Sequence, residues 1–107
     1  MKTLSKPLTY LGFALKANKL RTGINAINTL KGGVYLVVLS KDGEKNAVKE
    51  AKKIAAKFNC PLVQTLSFTL AEFTGKENCK VAALTEENLA KAIAENLGED
   101  FKVIIGD

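Results

Sequence analysis

Apolar positions alternate along the chain between helix-like and strand-like runs. Leu4, Leu8, Leu11 and Leu15 follow a 4-3-4 spacing, which lays one apolar stripe along an N-terminal helix. Pro7 suits the first turn of that helix, so regular structure is expected to begin near Ser5, with Asn18 as its stop. Lys19 to Thr22 reads as a short extended piece. Gly23 breaks the chain before a second short helix over residues 24–30, ended by Gly32 and Gly33. The run Val34-Tyr35-Leu36-Val37-Val38-Leu39 is apolar on both faces and rich in β-branched residues, the mark of a central strand covered on each side. After a turn at Ser40-Lys41-Asp42-Gly43, Ala47, Ala51, Ile54, Ala55 and Phe58 keep helical spacing, with lysines on the outer face.

A second strand is expected over residues 61–66, then a short helix over about 68–73. There Thr69 and Glu72 have capping-box spacing, with Ser67 as the alternative cap and Gly75 as the stop. A polar loop over 76–78 leads to a third strand over 80–84. Thr85, Glu86 and Glu87 open a last amphipathic helix bearing Leu89, Ile93 and Leu97, the two glutamates complementing its dipole, and Gly98 ends it. Residues 101–105 fit either an extra edge strand or a docked tail, and with them 98–107 close the chain. Strands alternating with helices predict one domain over 1–107, a three-layer α/β/α sandwich with helices on both faces of the sheet.

Composition agrees with a globular domain: 107 residues, 47% hydrophobic and 25% charged, with no low-complexity tract. The distribution of charge adds something. No Asp or Glu precedes Asp42, whereas Lys2, Lys6, Lys16, Lys19, Arg21, Lys31 and Lys41 all do, so residues 1–41 carry +7 and the remainder −2. This asymmetry predicts a face adapted to an anion, against the plainer reading of a lysine-rich surface kept for solubility. Cys60 and Cys79 are too few for a disulfide framework and lack metal-ligand spacing, so buried thiols are expected. The apolar run from Pro7 to Leu15 follows Lys2 and Lys6 as in a secretory signal. No small-x-small cleavage site follows it and it is too short to span a bilayer, so a cytoplasmic protein with no membrane partner is expected.

Candidate chemistry is sparse. Gly32-Gly33 precedes a strand rather than lying between a strand and a helix, so it reads as a helix cap and not a phosphate loop. Asp42-Gly43-Glu44 could be a metal-binding carboxylate pair, but helix capping accounts for the same residues. With no His, a nucleophile–base pair would need a Lys or carboxylate that nothing marks out. A noncatalytic protein without cofactor or metal is expected. The segment from Lys16 to Lys31 stands apart. Lys16, Lys19, Arg21 and Lys31 flank Thr22-Gly23-Ile24-Asn25, the turn that opens the second helix, where phosphates could be seated and Asn25 or Asn28 could face base edges.

The order Leu11-Gly12, Lys19-Leu20, Thr22-Gly23, an apolar strand and Cys60-Pro61-Leu62-Val63 resembles the kink-turn-binding ribosomal-protein superfamily (L-seven-Ae and L-thirty-e), especially its bacterial YlxQ-like branch. The resemblance continues through Leu70-Ala71-Glu72-Phe73-Thr74-Gly75-Lys76, Val81-Ala82-Ala83-Leu84 and Thr85-Glu86-Glu87-Asn88-Leu89-Ala90-Lys91-Ala92-Ile93, covering roughly residues 8–97. It implies a mixed, mostly four-stranded sheet and binding of RNA bent at an internal loop. In that family one element reads sheared G·A pairs, here Thr22, Gly23, Ile24 and Asn25. A second covers an extruded base, here Lys76, Glu77, Asn78 and Cys79. Such splayed nucleotides are where RNA sequence is most readable.

The sequence departs from the family at Ile24, Ala26, Thr29, Ala71 and Glu77, positions that usually carry polar or basic, glycine or apolar residues respectively. The expected function is noncatalytic binding of a structured RNA, ribosomal or in another ribonucleoprotein, in company with ribosomal or RNP proteins. The expected RNA-binding residues are Lys16, Lys19, Arg21, Thr22, Gly23, Ile24, Asn25, Asn28, Lys31, Lys76, Asn78 and Lys80. Arg21, Lys19, Lys16 and Lys31 would hold phosphates, Asn25 and Asn28 would contact bases, and Gly23 would let the backbone approach closely. The departures support a second reading, a protein-interaction or scaffold domain that kept the fold and lost kink-turn recognition. A third, a doubly wound ligand-binding or enzymatic domain, rests on the alternating pattern alone.

Overall fold

A computed structural model describes residues 5–106; Lys2 and Leu4 of the N-terminal pattern, and Asp107, lie outside them. The elements run α1 (Lys6–Lys16), β1 (Leu20–Thr22), α2 (Ile24–Asn28), β2 (Leu36–Leu39), α3 (Lys45–Phe58), β3 (Leu62–Thr65), α4 (Leu70–Thr74), β4 (Val81–Leu84), α5 (Glu87–Glu95) and β5 (Phe101–Ile105). The strands form one sheet in the order β1-β4-β2-β3-β5. β2 and β3 are parallel and every other neighbouring pair is antiparallel, so the sheet is mixed. It has five strands because residues 101–105 take the edge-strand alternative, with Phe101 opposite Thr65 and a register shift beside Leu62.

β2 shows why the sheet must be covered twice. All four of its residues are buried. Leu36 and Val38 pack with Leu11, Ala14, Leu70, Ala90 and Ile93 on the α1, α4 and α5 side. Val37 and Leu39 pack with Ile27, Ala47, Ala51 and Ile54 on the α2 and α3 side. Neighbouring β4 repeats the alternation, Ala82 and Leu84 facing the first layer and Val81 and Ala83 the second. The three layers expected from the alternating pattern are therefore present.

Local signals explain some element ends. In α4 the Thr69 side chain accepts from the Glu72 backbone N–H, and the Glu72 carboxylate accepts from the Thr69 N–H, a complete capping box. Ser67, the alternative cap, instead donates to Asp100 at 2.5 Å. Ser5 donates to the same carboxylate at 2.6 Å, and the Leu66 N–H donates to the Asp100 carbonyl. Asp100 thus ties the start of α1, the turn after β3 and the entry to β5. The expectation that Asp42 and Glu44 cap α3 is corrected. Glu44 occupies the N-cap position without a side-chain bond, and Asp42 points to Ser40 and Lys80 instead.

Gly43 lies where the chain turns from β2 into α3. A Cβ there would fall 2.8 Å from Leu39 Cδ1, 3.1 Å from the Ser40 carbonyl oxygen and 3.3 Å from Ala47 Cβ. Gly43→Ala is expected to destabilise the fold by about 1–3 kcal/mol through overpacking. A urea midpoint equal to the parent's would contradict this crowding. The serine hydroxyls on Asp100 hold its carboxyl below the ordinary value of 3.8. A group with a lowered folded pKa stabilises the protein above its unfolded value, and that contribution disappears as pH falls through the folded pKa. Thermal melts of Asp100→Asn should therefore show lower stability at pH 7 and a shallower loss of stability in acid below about pH 4. Parallel acid profiles for the two proteins would refute the assignment.

Candidate nucleic-acid interface

One end of the sheet gathers two loops that lie far apart in sequence. The Gly23 N–H donates to the Val81 carbonyl at 3.0 Å, which fixes the β1–α2 turn at the start of β4. Lys76 Nζ donates to Thr22 Oγ1 at 3.1 Å and joins the α4–β4 loop to the same turn. Gly23 has φ +91 and ψ 138, a backbone conformation that side chains oppose, although open space surrounds the position a Cβ would take. Glycine is needed there for its backbone. Asn78 adopts φ 62, in the left-handed region that Asn tolerates better than most residues. Asn25 and Asn78 are both exposed on this rim.

Beside the rim lies a polar junction rooted in one buried serine. Ser40 is fully buried; its hydroxyl donates to Asp42 and accepts from the Leu70 N–H at 3.0 Å. Asp42 also receives Lys80 Nζ at 2.5 Å. The Lys80 and Ser40 hydrogen bonds, in that order, hold the Asp42 carboxyl below its ordinary value. Lys80 therefore meets solvent with its charge already balanced, and its part in the rim is to fix the entry to β4. Cys79 is buried, and desolvation pushes its thiol up. It anchors the loop from the inside and does not line its surface.

The expected site residues divide between the two ends of the sheet. Thr22, Gly23, Asn25, Lys76, Asn78 and Lys80 belong to the rim, and Arg21 projects exposed from edge strand β1, opposite Ala83. Lys16, Lys19, Asn28 and Lys31 lie toward the other end. The Lys19 carbonyl accepts from Thr85, beyond the last residue of β4, and an extended chain places it roughly 13 Å from Gly23. Lys16 ends α1 at this side. The Asn28 carbonyl accepts from Lys57 at the last turn of α3, and Lys31 lines an open groove with Tyr35, Phe58, Asn59, Glu87 and Lys91. Closeness in sequence does not survive here, because β1 and α2 each carry the chain along the sheet.

Two other expectations change. The second helix is five residues long, ending at Asn28, where the Thr29 hydroxyl donates to the Ala26 carbonyl at 2.6 Å. So short a helix contributes little dipole to an anion site. Ile24 is partly buried in the α2 and α3 layer, beside the fully buried Ile27 that anchors α2. Conversely, Asn46 and Glu50 of α3 line the depression beside Thr22, Gly23, Ile24, Asn25 and Ala26. The helical period puts both on an outer face, but only docking of α3 against α2 reveals which face. Among the described residues no group of His, Cys, Asp and Glu could hold a metal ion, and no helix is long and apolar enough to cross a membrane.

No protein-family model matches the chain, and no curated protein does. A solved structure of a protein with unknown function from Bacillus halodurans is similar, with a TM-score of 0.69 and 24% identity, covering 86% of this chain and 96% of that one. That similarity is one of fold: the chain is a mixed α/β domain built on the architecture of that structure.

Proposed function

We propose that the chain is a noncatalytic RNA-binding domain, acting in the cytoplasm on a bent or bulged structured RNA of a ribosomal or other ribonucleoprotein particle. The observation that carries this reading is the Lys76–Thr22 hydrogen bond. It unites on one rim the two loops that correspond to the RNA-contacting elements of the resembled superfamily. Exposed amides at Asn25 and Asn78 suit base edges, since an amide both donates and accepts. Arg21 and Lys76 supply positive charge beside them, for phosphates. Glu77 and Glu50 bring negative charge to the same area, so the rim is suited more to selecting nucleotides than to general attraction of RNA.

A salt titration with a bulged RNA hairpin tests the proposal. Binding should weaken steeply with salt, and Arg21→Glu should weaken it by on the order of tenfold while lowering the log–log salt slope by about 1. Asn25→Ala should instead leave the slope unchanged and reduce discrimination among loop sequences by about 1–3 kcal/mol. Absence of binding at low salt would reject the proposal. A protein that purifies free of nucleic acid and captures a defined protein partner through the rim would favour the scaffold reading.

A further inference from the structure

We propose that the exposed face of α3 holds the phosphate backbone of a double-stranded RNA stem flanking the nucleotides bound at the rim, an inference that rests on the RNA-binding reading above. Ala47, Ala51, Ile54 and Ala55 bury one side of this helix. Lys45, Lys49, Lys52, Lys53 and Lys57 are all exposed on it. Glu50 is the one acid within α3, and the Lys53–Glu50 contact at 3.9 Å is the one ion pair these lysines make among the described residues. Lys57 lies 5.1 Å from the Phe58 ring centroid and also reaches the Asn28 carbonyl.

Lys57, in the last turn, complements the dipole, but the start of the helix is arranged otherwise. Its first turn contains Lys45 and no acid, and the N-cap Glu44 makes no side-chain capping bond, so a cation sits beside the positive end of the dipole. The ridge adjoins the rim directly. Asn46 and Glu50 line the same depression as Gly23 to Ala26, and Lys57 meets α2 at its last residue. From Lys45 to Lys57 the ridge runs roughly 18 Å, enough to lie along several phosphates of a duplex. Lys45, Lys49 and Lys52 form a row without an aromatic platform, which single-stranded nucleic acid would use for stacking. The depression these lysines share with Gly43 and Glu44 has Val48 as its one large apolar side chain, too little for the apolar centre that a protein partner would cover. A row of cations alone matches a helical backbone read by charge and shape.

The test compares the parent with a Lys45→Gln, Lys49→Gln, Lys52→Gln variant on two hairpins sharing one bulge. One hairpin has stems of a full helical turn and the other has stems cut to a few base pairs. The variant should melt no lower than the parent, because the changes remove a cation from the helix start. On the long-stem hairpin it should bind about tenfold or more weakly at ~0.1 M salt, with a log–log salt slope smaller by roughly 2–3. On the short-stem hairpin the two proteins should bind alike. Equal affinity and slope on the long stem, with the parent binding both hairpins, would overturn the stem assignment and leave the rim reading intact. Equal losses on both hairpins, or a lowered melting temperature, would also overturn it. A parent that binds neither hairpin would reject both readings.

Discussion

The rim keeps its shape because of one buried hydroxyl. Ser40 ends β2 with no exposed surface, and every polar atom it carries is engaged. Its N–H donates to the Lys80 carbonyl, its carbonyl accepts from Gly43 and Gln64, and its hydroxyl links Asp42 to the first residue of α4. A buried polar group left without partners costs about 1–3 kcal/mol, so these bonds are mutually enforced. The exposed Lys80–Asp42 pair would be worth little by itself. Its role is geometric. It fixes the start of β4, onto which Gly23 hydrogen-bonds and from which the Lys76 loop departs. Movement at Ser40 would disturb the start of β4, against which the Gly23 turn is held.

Much of the fold was legible in the order of apolar residues. β2 was recognisable as a strand covered on both faces, α3 by its alanine and isoleucine stripe, and the α4 cap by the Thr69–Glu72 spacing. These features are local, and local periodicity reports them. The choice between edge strand and docked tail for Phe101–Ile105 depended on an unpaired edge of β3. The same holds for Ser67, whose preference for Asp100 is set by a residue 33 positions away. The candidate site was legible as two motifs, but its membership was not. Lys19 and Thr22 differ by three positions, yet β1 carries them toward opposite ends of the sheet. Lys80 looked available until Asp42 came beside it, and Asn46 and Glu50 became relevant only when α3 docked against α2.

The result is a division of labour in electrostatics that the basic N-terminal third did not suggest. The rim mixes Arg21 and Lys76 with Glu50 and Glu77, and one of its lysines is neutralised. The densest run of positive charge lies instead on α3, outside the acid-free region. Phosphate attraction is long-ranged and insensitive to sequence, whereas amide contacts are short-ranged and selective. On the proposed reading, adjoining surfaces would let one tether an RNA while the other examines its unpaired nucleotides.

The most direct measurement of this account is ultraviolet crosslinking in living cells, followed by mapping of the crosslinked nucleotides onto peptides of the protein. The account predicts adducts on the peptides that contain Thr22 to Asn25 and Lys76 to Asn78. Adducts confined to the far-end groove around Lys31 and Tyr35, or none above an unirradiated control, would contradict it.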